Sequence, residues 1–200
     1  MRKIYLFIFL FSIASLLSKA QVMPCDLKRN SDGIKVFTCK TGSEKFRLLR
    51  AEFVLTNISI QKLKIFLWDV PNYVTWQYNM IESELISSTG ENEIEYRSLV
   101  DAPWPVENRE LALRVRIEEQ PSLTQIFIHS FDFKKPTPND VVRVPLFDAS
   151  WRIIQEGKNL KVIYTLRIDP GGSVPPWLAN LAMAEGPFIS FKKLKQQLEK

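Results

Sequence analysis

The sequence predicts an α+β fold in which a curved antiparallel sheet wraps a long C-terminal helix and leaves an internal hydrophobic cavity. Three observations predict it. Alternation of apolar and polar residues recurs in successive segments separated by turn residues, whereas helical periodicity is confined to a short stretch after Ser59 and to the segment after Asp169. The strand faces are cleanly divided: Arg109, Leu111, Leu113, Val115 and Ile117 share one side of their segment, and Glu110, Arg114, Arg116 and Glu118 the other. A sheet with this much apolar wall exceeds what one helix stripe can fill, and the remaining space is the expected cavity.

Residues 1–20 read as a targeting segment: Arg2-Lys3, an apolar run of 14 residues from Ile4 to Leu17, then small residues at Ser18-Lys19-Ala20. The run is shorter than the ~20 residues needed to cross a bilayer. Cleavage after Ala20 is expected, with export to a periplasm or out of the cell, and residues 21–200 suit one domain. Removing the segment takes away Arg2, Lys3 and Lys19, so 24 basic side chains remain against 22 acidic. That balance gives no argument for a nucleic-acid partner, and none is expected. Lys192, Lys193, Lys195 and Lys200 cluster at the end of the last helix, as a solvated face suited to a helix C-terminus or as a contact for anionic headgroups in a transient encounter with a membrane. The protein is expected to be a monomer.

The first element is a hairpin. Asn30-Ser31-Asp32-Gly33 is a turn signal between alternating Asp26 to Arg29 and Ile34 to Thr38, which places Cys25 opposite Thr38 or Cys39. In an oxidising compartment Cys25 and Cys39, the only cysteines, are then within reach of a disulfide. Metal binding would need more ligands than these and the single His129 supply, and no cofactor is expected. Lys45 to Thr56 reads as a third strand. Ser59 can cap a helix carrying Ile60, Leu63, Leu67 and Val70, which Pro71 ends. A short turn holds Tyr73 and Trp76. Strands then follow over Ile81 to Thr89, Asn92 to Val100, Arg109 to Glu119, Leu123 to Phe131, Val141 to Ile154 and Leu160 to Ile168. In the second of these Ile94, Tyr96, Ser98 and Val100 face inward. The last helix, from Pro176 to Leu198, would be roughly 35 Å long at about 1.5 Å per residue. Trp177, Leu181, Ala184, Phe188, Phe191, Leu194 and Leu198 lie on one stripe. Pro187 predicts a kink or two helical pieces at Gly186-Pro187.

Asp32 to Thr38, Pro103 to Glu110, Val142-Arg143-Val144 and Asp169 to Asn180 resemble the motifs of START domains, the steroidogenic-acute-regulatory-related lipid-transfer modules. The resemblance runs from about Asp26 to Leu198. It implies a helix-grip fold, a single lipid or other hydrophobic small molecule held in a tunnel, and the C-terminal helix as its lid. Phosphatidylcholine-binding members hold phosphate with an Arg and an Asp around the position of Trp76; here those places fall on Tyr73 and Gln77. Sterol-binding members place a Glu and an Arg in the tunnel, where this chain has Tyr96 and Val115. A mostly apolar ligand such as a sterol, hopanoid, fatty acid or carotenoid suits the chain better than a zwitterionic phospholipid.

The expected cavity residues are therefore Tyr96, Arg109, Leu111, Leu113, Val115, His129, Trp151, Trp177, Leu181 and Phe188, with Tyr73, Trp76 and Gln77 at the headgroup end. Arg109 on an apolar face needs partners: Asp169, backbone carbonyls bracing the start of the lid, or a ligand at the tunnel floor. Trp68, Trp76, Trp104, Trp151 and Trp177 read mostly as core, with Trp177 placed to meet ligand. His129, beside Phe127 and Phe131, reads as packed or cavity-lining. Gly171-Gly172 and Gly186-Pro187 are hinge candidates for the lid. An enzyme of the aromatase/cyclase type and a protein-interaction module are the alternatives, but no nucleophile, base and orienter can be assembled; Ser150 and Ser173 have no recognisable base.

Overall fold

The structure, a computed structural model, describes residues 24–40, 48–174 and 176–200, and the side chains of 176–178 and 180–182 also lie outside that description. The expected targeting segment therefore falls outside the described residues. Among these, the elements in order are β1 (Cys25–Ser31), β2 (Ile34–Cys39), β3 (Leu48–Leu55), α1 (Ile60–Trp68), a 3-10 turn (Val70–Asn72) and α2 (Tyr73–Trp76). Then come β4 (Met80–Thr89), β5 (Glu93–Val100), β6 (Asn108–Gln120), β7 (Leu123–Ser130), β8 (Val141–Arg143), β9 (Leu146–Glu156), β10 (Asn159–Asp169) and α3 (Pro176–Leu198).

Local chemistry explains where these elements start and stop. Asp32 and Gly33, with φ of 53° and 71°, form the two-residue turn of the β1–β2 hairpin, since both central positions of such a turn need φ > 0. The register puts Cys25 directly opposite Cys39, and the two are joined by a disulfide. Ser59 caps α1, its Oγ accepting from the Lys62 N–H at 3.1 Å, and the helix ends at Trp68, three residues before Pro71, so that Val70, expected on its face, falls in the 3-10 turn instead.

The expected strand Val141 to Ile154 is instead two strands. Pro145 has no N–H to give a ladder, and the chain changes partner around it. Val141, Val142 and Arg143 pair in parallel with Asn108, Arg109 and Glu110 of β6, and β9 then pairs antiparallel with β7 and β10. Short β8 thus takes up the edge of β6 that β7 leaves free beyond Leu113.

All ten strands form one curved sheet in the order β1-β2-β3-β10-β9-β7-β6-β5-β4, with β8 attached to β6. The C-terminal half of α3 packs into this sheet through Phe191, Leu194 and Leu198, all nearly inaccessible. Each such side chain contributes roughly 1.5–3 kcal/mol by burial. Phe191 sits among Phe53, Trp151 and Tyr164, with ring centroids 4.8, 5.4 and 5.0 Å away. This aromatic cluster closes one end of the space under the helix. Instead of the two pieces allowed for at Gly186-Pro187, α3 runs through Pro187 as a single helix.

Candidate functional site

Between the concave face of the sheet and the N-terminal half of α3 lies a cavity of about 970 Å³. Its wall comes from alternate residues of the strands: Tyr96 on β5, Leu111 and Val115 on β6, Ile126 and Ile128 on β7, Trp151 on β9, Tyr164 and Leu166 on β10. Helix α3 covers it with Ala179, Met183, Gly186 and Ser190. These recur at helical spacing, one step round from the apolar stripe. Ile189 and Phe191 of the same helix line it too, so small residues alternate with large ones over the open volume.

The structure brings Tyr73, Trp76, Gln77, Tyr96, Arg109, Leu111, Val115 and Trp151 to the cavity. Tyr73 and Trp76, expected at a headgroup end, are 4% and 3% exposed and form part of its wall. The Tyr73 hydroxyl donates to the Leu67 carbonyl. Leu113 is buried without reaching the cavity. Phe188 turns to the hairpin, where the Arg29 guanidinium lies 5.8 Å from its ring centroid, because α3 presents the neighbouring face to the cavity. The side chains of Trp177 and Leu181 are outside the described residues.

His129 is on the outer face of β7, not in the cavity: Ile126 and Ile128 take the inward positions, so His129 must point away. It is paired with Asp148 at 3.1 Å and its ring stacks with that of Phe127. Trp104 is likewise not core. It is 93% exposed, in the segment between β5 and β6 whose Asp101, Ala102, Pro103 and Val106 line the cavity rim.

Arg109 is 8% exposed and lines the cavity. Its Nε donates to the Pro170 carbonyl at 2.8 Å, one terminal nitrogen donates to Gly171 O at 3.2 Å and the other to Glu107 O. Among the partners expected from sequence, it has the backbone carbonyls at the start of the lid. Burial lowers its pKa, with Glu107 pulling the other way. The charge is thereby tied to Pro170 and Gly171, just before Gly172; both glycines are at positive φ, and Gly171 is closely approached: a Cβ there would stand 3.0 Å from Pro145.

Several residues escaped the sequence reading, Tyr164 and Glu110 among them. Tyr164 lines the cavity, and alternation with Val162 and Leu166 on β10 would have found it. Glu110 is 1% exposed although it lies on the outer face of β6, since Arg97 and Arg143 close over it at 2.6 and 2.5 Å. Arg143 continues to the carbonyls of Phe133 and Lys135, tying down the segment after β7. No periodicity signals that an outward face will be covered by a distant loop.

The rim is latched in two places. The Asp101 N–H donates to the Asn79 carbonyl at 2.8 Å, joining the segments on either side of β4 and β5. The Tyr78 N–H donates to Ser190 Oγ at 2.9 Å, and a Cβ on Gly186 would lie 3.3 Å from the Tyr78 ring. Residues 77–79 are therefore held against α3 by a close backbone approach that Gly186 permits.

A curved sheet gripping a C-terminal helix over an apolar cavity can be set beside known proteins. A family model described as START domain matches residues 30–200. The chain belongs to the START domain family. An uncharacterised protein of Pseudomonas aeruginosa is 28% identical to this START chain over 178 residues, which cover 87% of the chain and 86% of the relative. The crystal structure of a STAR-related lipid transfer protein from Xanthomonas axonopodis superposes with a TM-score of 0.80 at 26% identity, covering 88% of this START chain and 99% of the other. Human STARD10, at 20% identity and a TM-score of 0.74 over 86% of this chain and 71% of its own, shares the START fold.

Proposed function

We propose that this protein is an exported carrier that holds one hydrophobic molecule, sterol-, hopanoid- or fatty-acid-like, in the cavity beneath α3. The observation that carries this reading is the cavity itself. At about 970 Å³ it lies at the upper end of the roughly 300–1,000 Å³ usual for small-molecule sites. Filled with water at ~30 Å³ per molecule it would hold on the order of 30 waters against a largely apolar wall, and an apolar guest would release them. The family and the Xanthomonas lipid transfer protein support a hydrophobic ligand. The places of the phosphate-holding Arg and Asp are taken by Tyr73 and Gln77, which argues against a phosphatidylcholine headgroup.

Exchange would proceed by movement of α3 about Gly171-Gly172, with the Gly186-Pro187 segment as a second point of give, in a protein acting as a monomer. Trp104, exposed beside the rim, is the residue suited to touch a membrane during exchange. The leader at residues 1–20 and the Cys25–Cys39 disulfide suit an exported protein, periplasmic or secreted. Mass spectrometry of small molecules carried through gentle purification of the mature protein tests the reading. One apolar species at about one per chain is expected; phosphatidylcholine as the main species would exclude the proposed ligand class, and an empty stable protein would overturn the carrier.

A further inference from the structure

Tyr96 and Tyr164 belong to distant strands of the sheet. In the strand order β10 and β5 are separated by β9, β7 and β6, so the curl of the sheet is what turns both residues onto one cavity. Neither hydroxyl has a hydrogen-bond partner among the described residues, and neither is among the polar atoms sealed in protein without one. Their rings are firmly set. Tyr96 stands edge-on to Tyr73 at 5.2 Å, and Tyr164 is edge-on to Trp151 and Phe191 at 5.5 and 5.0 Å. Tyr73 differs from them, because its hydroxyl is already used on the Leu67 carbonyl.

Burial raises the pKa of Tyr96 and of Tyr164, and for Tyr164 the neighbouring Tyr96 raises it further. Both phenols therefore stay neutral, able to donate one hydrogen bond and accept others. Once an apolar guest displaces the water of the cavity, a phenol left without a partner gives up the hydrogen bond it made to water.

We propose that Tyr96 and Tyr164 form a clamp for one neutral oxygen, a hydroxyl or carbonyl, on an otherwise hydrophobic ligand. This rests on the carrier reading above and narrows its ligand class. A hydroxyl can accept from one phenol and donate to the other, and a carbonyl can accept from both. A hydrocarbon leaves both unpaired. An ionised carboxylate would be desolvated here without a cation. Arg109 is four residues along β6 from Leu113, the residue paired with Tyr96, roughly 13 Å at about 3.3 Å per residue. Its N–H groups also already serve three backbone carbonyls.

The test is pairwise competition among dodecane, 1-dodecanol and dodecanoate for the purified protein, read by native mass spectrometry. It is repeated with Tyr96→Phe and Tyr164→Phe, which keep the ring packing, and thermal unfolding checks that each variant folds. Each substitution should cut the ratio of bound dodecanol to bound dodecane by about fivefold, the worth of one hydrogen bond, while dodecane binding is kept. An unchanged ratio in both variants overturns the clamp and leaves the carrier standing, as does a preference for dodecanoate that neither substitution alters. Binding of none of the three overturns the carrier and the clamp together.

Discussion

Arg109 carries a full charge into the wall of an apolar cavity, and three backbone carbonyls at Glu107, Pro170 and Gly171 hold it there. Hydrogen bonds from a charged donor are worth about 1.5–3 kcal/mol each, and a lost partner leaves buried carbonyls unsatisfied. Arg109→Leu removes the desolvation cost of the charge along with the bonds, so the net loss should be about 3 kcal/mol, read as a shift of the guanidinium unfolding midpoint. An unchanged midpoint with ligand binding lost would mean that Arg109 serves the ligand and not the brace. From sequence, the need of Arg109 for a partner was legible, because a cation alternating with leucines cannot be left alone. Which partners it takes was not, since two of the three carbonyls, those of Pro170 and Gly171, lie some sixty residues on, at a turn whose approach to β6 depends on β8. Glu110 shows the same limit: alternation assigned its side of the strand but could not reveal that Arg97 and Arg143 cover that side.

At the scale of elements, the β1–β2 hairpin was almost wholly legible because everything that specifies it is local: an Asp-Gly turn, two alternating runs and two cysteines. Its role in the fold was not. Every residue of β1 is exposed, and β1 is the edge of the sheet, yet Arg29 reaches Glu185 on α3 and Lys192 bonds Asp32 in the turn at 3.1 Å. With no buried side chain of its own, β1 depends on its ladder to β2 and on the disulfide. Replacing both Cys25 and Cys39 by Ala should lower stability by about 3 kcal/mol on the chain-entropy estimate for a loop of this size. It should also speed hydrogen exchange in β1 well before β10, which lies between β9 and β3 in the middle of the sheet. Uniform acceleration across both strands would show that the hairpin unfolds only with the whole domain. Helix α3 marks the opposite case. Its apolar period identified the stripe ending in Phe191, Leu194 and Leu198 that packs into the core. The face over the cavity mixes Ala179, Gly186 and Ser190 with Met183 and Ile189 and so shows no clean hydrophobic period, and Phe188 was assigned to the wrong side.

For the molecule as a whole, sheet, lid and cavity form one device only if α3 can part from the rim to admit a ligand. The segment that must yield is marked by Gly186, where α3 meets the Tyr78 side chain. A Cβ on Gly186 would stand 4.0 Å from Cβ of Tyr78, inside the roughly 3.5–4.5 Å range that a disulfide spans. Tyr78→Cys with Gly186→Cys should therefore cross-link the lid to the rim with the backbone nearly in place. Tyr78 is 36% exposed, so its loss costs little core. If ligand enters past this contact, the oxidised variant should retain a ligand loaded beforehand and exchange it at least tenfold more slowly than the reduced form. Reduction should restore the rate, because the native Cys25–Cys39 disulfide lies in the hairpin, away from the rim. Exchange of a hydrophobic fluorophore followed under both redox conditions provides the measurement, with Cys25→Ala/Cys39→Ala carrying the same pair as the control for the native bond. Equal rates in the oxidised and reduced forms would place the path elsewhere, past the Trp104 segment between β5 and β6, and would make α3 a fixed wall of the cavity instead of its door.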